Sequence, residues 1–150
     1  MTRKDLAVSY FMEGYACSQA VLMAFKDCID LDEETILKIS LPFGGGVGRL
    51  RLTCGAFSSI CMIIGLMFAK NEISENNKVL TYQKVQELSK RFEEKMGTIN
   101  CKELLEKASL NVEIGGKPEH RNQEYYKKRP CAKIVYQAVE VLEEYLESIK

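Results

Sequence analysis

The sequence predicts a single all-α domain, a helical bundle of about six to seven helices around a buried apolar central helix. Apolar residues recur at helical spacing in several segments, and no segment shows the alternation of a half-buried strand. The stretch from Leu52 to Ala69 is the longest uncharged run, which is typical of a helix that others surround. A chain of 150 residues, 46% of them hydrophobic, is long enough to bury one core. We therefore assign residues 1–150 to one domain.

The first part of the chain predicts three helices. Residues 5–12 form a short first helix that Gly14 ends, and a second helix covers about 17–28. Asp32 is the expected N-cap of a third helix that reaches about Ser40. On the second helix, four residues at i, i+4, i+7 and i+11 share one face: Cys17, Val21, Ala24 and Cys28.

The later helices alternate with polar segments. The central helix covers about 54–69, and an amphipathic helix follows at 78–96. Asn100 is the expected N-cap of a short helix, whereas 109–129 predicts a loop, with one short helical turn at most, that can lie over a site. Pro130 opens the last helix. The amphipathic helix should turn inward Val79, Tyr82, Val85, Phe92 and Met96, and the last helix Cys131, Val135, Ala138, Leu142, Tyr145 and Ile149.

Charge and hydropathy argue against several classes of partner. The 21 basic and 21 acidic residues cancel and are well mixed, so we expect neither nucleic acid nor a membrane as a partner. The N-terminal residues lack the apolar core of a signal peptide. The uncharged run contains small polar residues, which favours a buried helix over a membrane span. We expect a cytoplasmic protein, compatible with a homo-oligomer, whose redox or electron-transfer partner is unknown.

Six cysteines are the chemically distinctive residues of the chain. In a cytoplasmic protein, thiols are more often core residues, metal ligands or redox groups than structural disulfides. Cys28 and Cys61 lie at a helix end and in a helix interior, where we expect them to fill the core. The other four stand in the first turn of a predicted helix, and each begins that helix's apolar stripe: Cys17, Cys54, Cys101 and Cys131.

A helix start favours negative charge, because its backbone N–H groups are unpaired and the helix dipole is positive there. A thiol in that position tends to ionise, so Cys54 is the first candidate for nucleophile or ligand and Cys101 its helper. If the four starts converge, their thiols can bind an iron–sulfur cluster, can bind zinc, or can exchange disulfides with no cofactor. The absence of CxxC and HxxxH pairs makes zinc the less favoured metal.

A different class of function also fits the composition. The chain can be a non-enzymatic helical module for binding or oligomerisation, in which the cysteines only pack. A cluster or metal would be revealed by analysis of the purified protein, and redox pairs by titration of accessible thiols. Inert thiols in a metal-free protein would favour this second class.

The glycine-rich segment FGGGVGR, residues 43–49, lies just before Cys54. It lacks the spacing and the βαβ setting of phosphate-binding loops, so we expect a tight turn that packs against neighbouring helices. Arg49 and Arg51 can be solvated surface groups, or they can lower the pKa of Cys54.

Together these elements resemble the C-GCAxxG-C-C family of redox-active proteins, over nearly the whole chain. The motif's final glycine is Ser59 here, which fits only if a small residue is sufficient at that position. The matching elements are GYACSQAV at 14–21, FGGGVGR at 43–49, Cys54-Gly55-Ala56, NCKELL at 100–105, and Cys131.

The resemblance implies a redox role, with an iron–sulfur or other metal centre as one form of it, and it implies no substrate. We therefore expect a redox or metal-binding thiol site made of the four helix-start cysteines. Arg49, Arg51 and Gly55 are the expected supporting residues. Thiol–disulfide exchange and a bound cluster both remain open at this point.

Overall fold

The computed structural model describes all 150 residues and confirms an all-α fold. There is no β-strand, and the only β contact is an isolated antiparallel bridge between Thr53 and Asn100. None of the helices combines the length and apolarity needed to cross a membrane. The eight α-helices are α1 (Arg3–Met12), α2 (Cys17–Ala24), α3 (Glu33–Ser40), α4 (Gly55–Phe68), α5 (Glu75–Met96), α6 (Cys101–Lys107), α7 (Gln123–Lys128) and α8 (Cys131–Ser148).

Side-chain caps determine where several helices begin. Asp32 and Asn100 each accept a hydrogen bond from the backbone N–H three residues later, at 2.7 and 2.9 Å, as predicted. Ser74 accepts a similar bond at 3.1 Å. For this reason α5 begins at Glu75 rather than at the predicted Lys78.

The most deeply buried helix is α2, not the helix predicted to be central. Every residue of α2 after Cys17 is buried, because α1, α3, α4 and α8 all pack against it. The uncharged helix α4 packs on α2, α5 and α8 and buries one face, while Leu66 and Phe68 near its end stay exposed. Absence of charge identifies an apolar helix, but the number of neighbouring helices decides how much of it is buried.

The second helix ends earlier than predicted, and this leaves Cys28 in solvent. After α2 stops at Ala24, Cys28 lies in a short 3-10 turn with its side chain exposed. Arg3 Nη1 donates to the Ala24 carbonyl at 2.7 Å, and the same guanidinium pairs with Asp27. These contacts satisfy the end of the helix. The prediction that Cys28 fills the core is therefore wrong.

In two helices, the face predicted to be buried includes residues that are exposed in the structure. In α5, Phe92 is fully buried, but Val79 and Tyr82 are exposed. The first half of that helix contains no buried residue. In α8, Leu142 is buried as predicted, whereas Ile149 lies beyond the last helical residue and is exposed.

Candidate functional site

Four of the six cysteines line one cavity of about 300 Å³. Cys17, Cys101 and Cys131 are the first residues of α2, α6 and α8, and Cys54 is the residue before α4. All of them are free thiols. Four helix starts thus converge on one space, with a sulfur at each.

Backbone pairing brings two of these thiols together. The Cys54 N–H donates to the Ile99 carbonyl at 2.7 Å, and the Cys101 N–H donates to the Leu52 carbonyl at 2.6 Å. The bridge at Thr53 lies between these two bonds. Since both partners are main-chain atoms, the starts of α4 and α6 are held next to each other whatever side chains occupy the segment.

The glycine segment passes between two of the cavity thiols. The backbone amides of Gly45 and Ser18 act on the Cys17 sulfur and partly offset the rise in its pKa. On the other side, a Cβ atom at Gly46 would lie only 2.6 Å from the Cβ of Cys101. Both glycines have positive φ, 65° and 72°, which glycine adopts without strain. The segment is the tight, packed turn that the sequence predicted.

Three residues that are not glycine share this left-handed backbone. Val47, Arg49 and Arg51 have φ values of 68°, 66° and 60°. Such a conformation costs about 1–3 kcal/mol for each L residue and is concentrated at functional sites. The surrounding contacts must therefore hold this loop in place.

Small residues let α4 approach α2 closely. A Cβ atom at Gly55 would lie 2.6 Å from the Phe43 carbonyl oxygen and 2.8 Å from the Cys17 sulfur. One turn later, Ser59 is fully buried and its hydroxyl donates to the Ser18 carbonyl at 2.5 Å. Serine at this position therefore keeps the close approach and adds a hydrogen bond between the two helices.

Burial controls the ionisation of the deepest thiols. It raises the pKa of Cys54 well above the usual range, although the first backbone N–H groups of α4 act in the opposite direction. Burial, followed by the charge of Cys101, raises the pKa of Cys17. Burial also raises the pKa of Cys131 to about 12. The prediction that a helix start makes Cys54 an ionised thiol is wrong, because desolvation outweighs the helix N–H groups.

Arg51 is a buried cation beside Cys101. Its side chain is not a solvated surface group, since the residue is 7% exposed and lines the cavity. Nη1 lies 3.8 Å from the Cys101 sulfur, and Nε donates to the Glu113 carbonyl at 3.0 Å. Arg51 is not among the main causes of the Cys54 pKa shift. The Arg51 guanidinium therefore contacts the Cys101 sulfur and has no such contact with Cys54.

Arg49 is equally buried, at 8% exposed, and also lines the cavity. Nη1 donates to the Lys117 carbonyl. Glu113 places a carboxylate oxygen 3.8 Å from Nη2, outside hydrogen-bond distance, and this side chain is 71% exposed. Nε and Nη2 are buried and have no hydrogen-bond partner. Arg49 is likewise not a surface group.

Residues 109–129, called the cover here, form part of the lining of the cavity. Arg121 Nη1 donates to the carbonyls of Phe11 and Tyr15, both at 2.9 Å. Tyr126 packs edge-to-face on Phe11, with ring centroids 5.8 Å apart. The loop thus lies over a site, as the sequence predicted, and it is attached mainly to α1 and the glycine segment.

Arg121 and Arg129 also line the cavity, and the sequence analysis did not single them out. Their guanidinium carbons lie 5.5 and 5.2 Å from the centroid of the Tyr125 ring. Their one sequence signal is that they flank the paired tyrosines of α7. Without the fold, nothing connects that pair to the cysteines.

A model of the family described as "Putative redox-active protein (C_GCAxxG_C_C)" matches residues 15–145. The chain belongs to this family. The matched range contains the four cavity thiols, the glycine segment and the cover. Comparison with curated proteins and with solved structures gave no match.

Within this C_GCAxxG_C_C domain, the other two cysteines lie outside the cavity. Cys61 is half-buried on α4, and burial raises its pKa to about 11. Cys28 is exposed in the turn after α2. These two thiols provide matched controls for the four that line the cavity.

No group of three or more His, Cys, Asp or Glu side chains is placed to hold a metal ion. Four cysteine thiolates are the donor set of an iron–sulfur cluster and of one class of tetrahedral zinc site. The cavity thiols match that donor set in number and kind, but their sulfurs do not form a ready metal site.

Proposed function

We propose that this member of the C_GCAxxG_C_C family is a thiol–disulfide oxidoreductase, with Cys101 as attacking thiol and Cys17 as resolving thiol. One observation carries the proposal: four free thiols line one cavity, and one of them contacts a buried guanidinium. Disulfide exchange requires an accessible thiolate and a second thiol within reach.

Cys101 is the better attacking group for two reasons. It is half-buried, whereas Cys54 is 4% exposed. Its sulfur also contacts the buried Arg51 guanidinium, with Nη1 at 3.8 Å. Cys17, Cys54 and Cys131 keep their protons at neutral pH, because burial raises the pKa of each. The proposal therefore gives the attacking role, first predicted for Cys54, to Cys101.

Cys17 is the better resolving group because it lies across the glycine turn from Cys101. Gly45 faces the Cys17 sulfur and the next residue, Gly46, faces the Cys101 side chain. The charge of Cys101 is the largest influence after burial on the pKa of Cys17. The amide of Gly45 can donate to the Cys17 sulfur when it carries negative charge.

The reaction proceeds in two balanced exchanges. The Cys101 sulfur attacks one sulfur of a substrate disulfide, a mixed disulfide forms, and the first substrate thiol leaves with the proton that Cys101 lost. The Cys17 sulfur then attacks the Cys101 sulfur, an intramolecular disulfide forms, and the second substrate thiol leaves with the Cys17 proton. Two electrons pass from the protein to the substrate, and an external dithiol restores the reduced protein by the reverse steps.

Peptide mapping tests this proposal. After reduced protein is treated with hydroxyethyl disulfide, we expect a Cys17–Cys101 disulfide. Cys101→Ser should abolish it, whereas Cys61→Ser should not, because Cys61 lies outside the cavity. Cavity thiols that stay reduced, or a Cys101→Ser variant that consumes the disulfide as fast as the wild type, would contradict the proposal.

The four-cysteine donor set favours a second candidate, an electron carrier with an iron–sulfur cluster on Cys17, Cys54, Cys101 and Cys131. When bound, a cluster supplies one-electron transfer. Anaerobic purification followed by iron and sulfide analysis and a visible spectrum separates the candidates. Stoichiometric iron and sulfide would support the carrier, and a colourless, iron-free protein that forms the disulfide would support exchange. A module with purely structural cysteines predicts neither result.

A further inference from the structure

The charged groups that line the cavity are strongly unbalanced. They comprise four arginines and one glutamate: Arg49, Arg51, Arg121, Arg129 and Glu119. Glu119 is paired with Arg129. Arg51 and Arg121 have no acidic partner, and Arg49 has only the exposed Glu113 carboxylate 3.8 Å from its Nη2, while burial keeps at least two thiols neutral. Such a space favours an anionic occupant.

The Arg49 guanidinium provides a specific position for an anion in the cavity. Its Nε and Nη2 are buried without hydrogen-bond partners, in a side chain that lines the cavity. Buried charged donors are costly when unpaired. These two nitrogens share one edge of the guanidinium, and their parallel N–H groups match the two oxygens of a carboxylate. The edge therefore has the geometry of a two-point donor site, with the Glu113 carboxylate oxygen beyond hydrogen-bond distance at 3.8 Å from Nη2.

We infer that the cavity takes small anionic substrates and that the Nε–Nη2 edge of Arg49 holds their carboxylate beside the thiols. The proposed exchange reaction requires a disulfide bond in the substrate as well, so the assignment of a disulfide substrate rests on the proposed function. The substrate class is then a small disulfide or thiol that carries carboxylates. The anion site itself rests on Arg49 and on the charge of the lining.

Binding is measured first, without chemistry. Suberate is an unreactive dicarboxylate with the chain length of dithiodipropionate, and octanediol is its neutral counterpart. Isothermal titration calorimetry of the reduced protein should show suberate binding at least about tenfold more tightly than octanediol, because a bidentate ion pair is lost in the diol. Equal affinities for the two compounds would overturn the inference.

Two variants locate the site. Arg49→Gln should weaken suberate binding at least about tenfold, and Arg49→Lys should recover it only in part, because lysine keeps the charge but not the two-donor edge. Arg91→Gln on α5 is the matched control, since that arginine pairs with Glu87 away from the cavity. Circular dichroism establishes that each variant is folded. Unchanged suberate affinity in folded Arg49→Gln would overturn the inference, and if that variant does not fold, Arg49→Lys decides.

Reaction rates then separate this inference from the proposed function. The rates with dithiodipropionate and with hydroxyethyl disulfide are each divided by the rate of the same disulfide with a small free thiol. We expect the corrected ratio to favour the dicarboxylate at least about tenfold in the wild type and to fall in Arg49→Gln. Suberate binding without any disulfide reaction would overturn exchange alone. Reaction with equal corrected rates would overturn the substrate preference alone.

Discussion

The wall and the cover of the cavity are held in place by different kinds of contact. In the wall, made by residues 16–18, 44–59 and 99–101, main-chain atoms pair with main-chain atoms and glycines allow close approach. The cover, residues 109–129, is attached chiefly by arginine side chains that donate to carbonyls. The wall therefore determines where Cys17, Cys54 and Cys101 lie, whereas the cover determines how far the thiols are shielded from water.

The largest expected effect concerns Cys131, which lies two residues after the cover. Burial raises its pKa to about 12. Below its pKa a thiol gains about tenfold in thiolate for each pH unit, so its alkylation by iodoacetamide should accelerate about 100-fold between pH 8 and 10. An unperturbed thiol, with a pKa of about 8.5, gains only about fourfold over the same range. Mass spectrometry of the alkylated peptides measures both.

The same peptide in unfolded protein provides the reference curve for Cys131. Its rate should level off above about pH 9, as for an ordinary thiol. If the native curve levelled off there as well, the cover would not shield Cys131, and the contrast between wall and cover would lose its basis.

The next effect tests the close approach within the wall. Gly55→Ala places a Cβ atom within 2.8 Å of both the Phe43 carbonyl oxygen and the Cys17 sulfur. Such overpacking should lower the free energy of unfolding by about 1–3 kcal/mol. Gly65→Ala on the same helix meets no atom within 4 Å and should raise it by up to about 1 kcal/mol through helix propensity. Denaturant titration measures both, and equal effects would show that the wall is not tightly packed.

The smallest effect should be confined to the cover. Arg121→Gln removes the bonds to the Phe11 and Tyr15 carbonyls. Hydrogen bonds from a charged group contribute about 1.5–3 kcal/mol, so amide exchange within the cover should accelerate about tenfold or more. Exchange in α2 and α4 should not change, and Arg91→Gln serves as the control. A uniform acceleration over all helices would mean that cover and wall open as one unit.

Local signals in the sequence predicted the parts of the site that depend on neighbours along the chain. Asp32 and Asn100 cap helices where predicted, because an N-cap needs only the next three residues. Cys101 directly follows the Asn100 cap, whereas the other three cysteines are placed at helix starts by the apolar stripes that begin with them. The fold class follows from the periodicity of the apolar residues, and the family match extends over most of the chain.

The properties that depend on distant contacts could not be predicted in this way. The pKa of Cys54 is set by desolvation, which depends on the helices and the cover around it rather than on its place at a helix start. Arg121 donates hydrogen bonds to the carbonyls of Phe11 and Tyr15, which lie more than a hundred residues away in sequence. The exposure of Cys28 depends on where α2 ends, and Arg3 of α1 donates a hydrogen bond to the carbonyl at that end.

The bridge between Thr53 and Asn100 also bears on the entropy of folding. It closes a long loop that contains the whole of α4 and α5. Contacts between residues so far apart carry a loop-closure penalty. Bringing Cys54 beside Cys101 therefore has an entropic cost, which the packing of the intervening helices must offset.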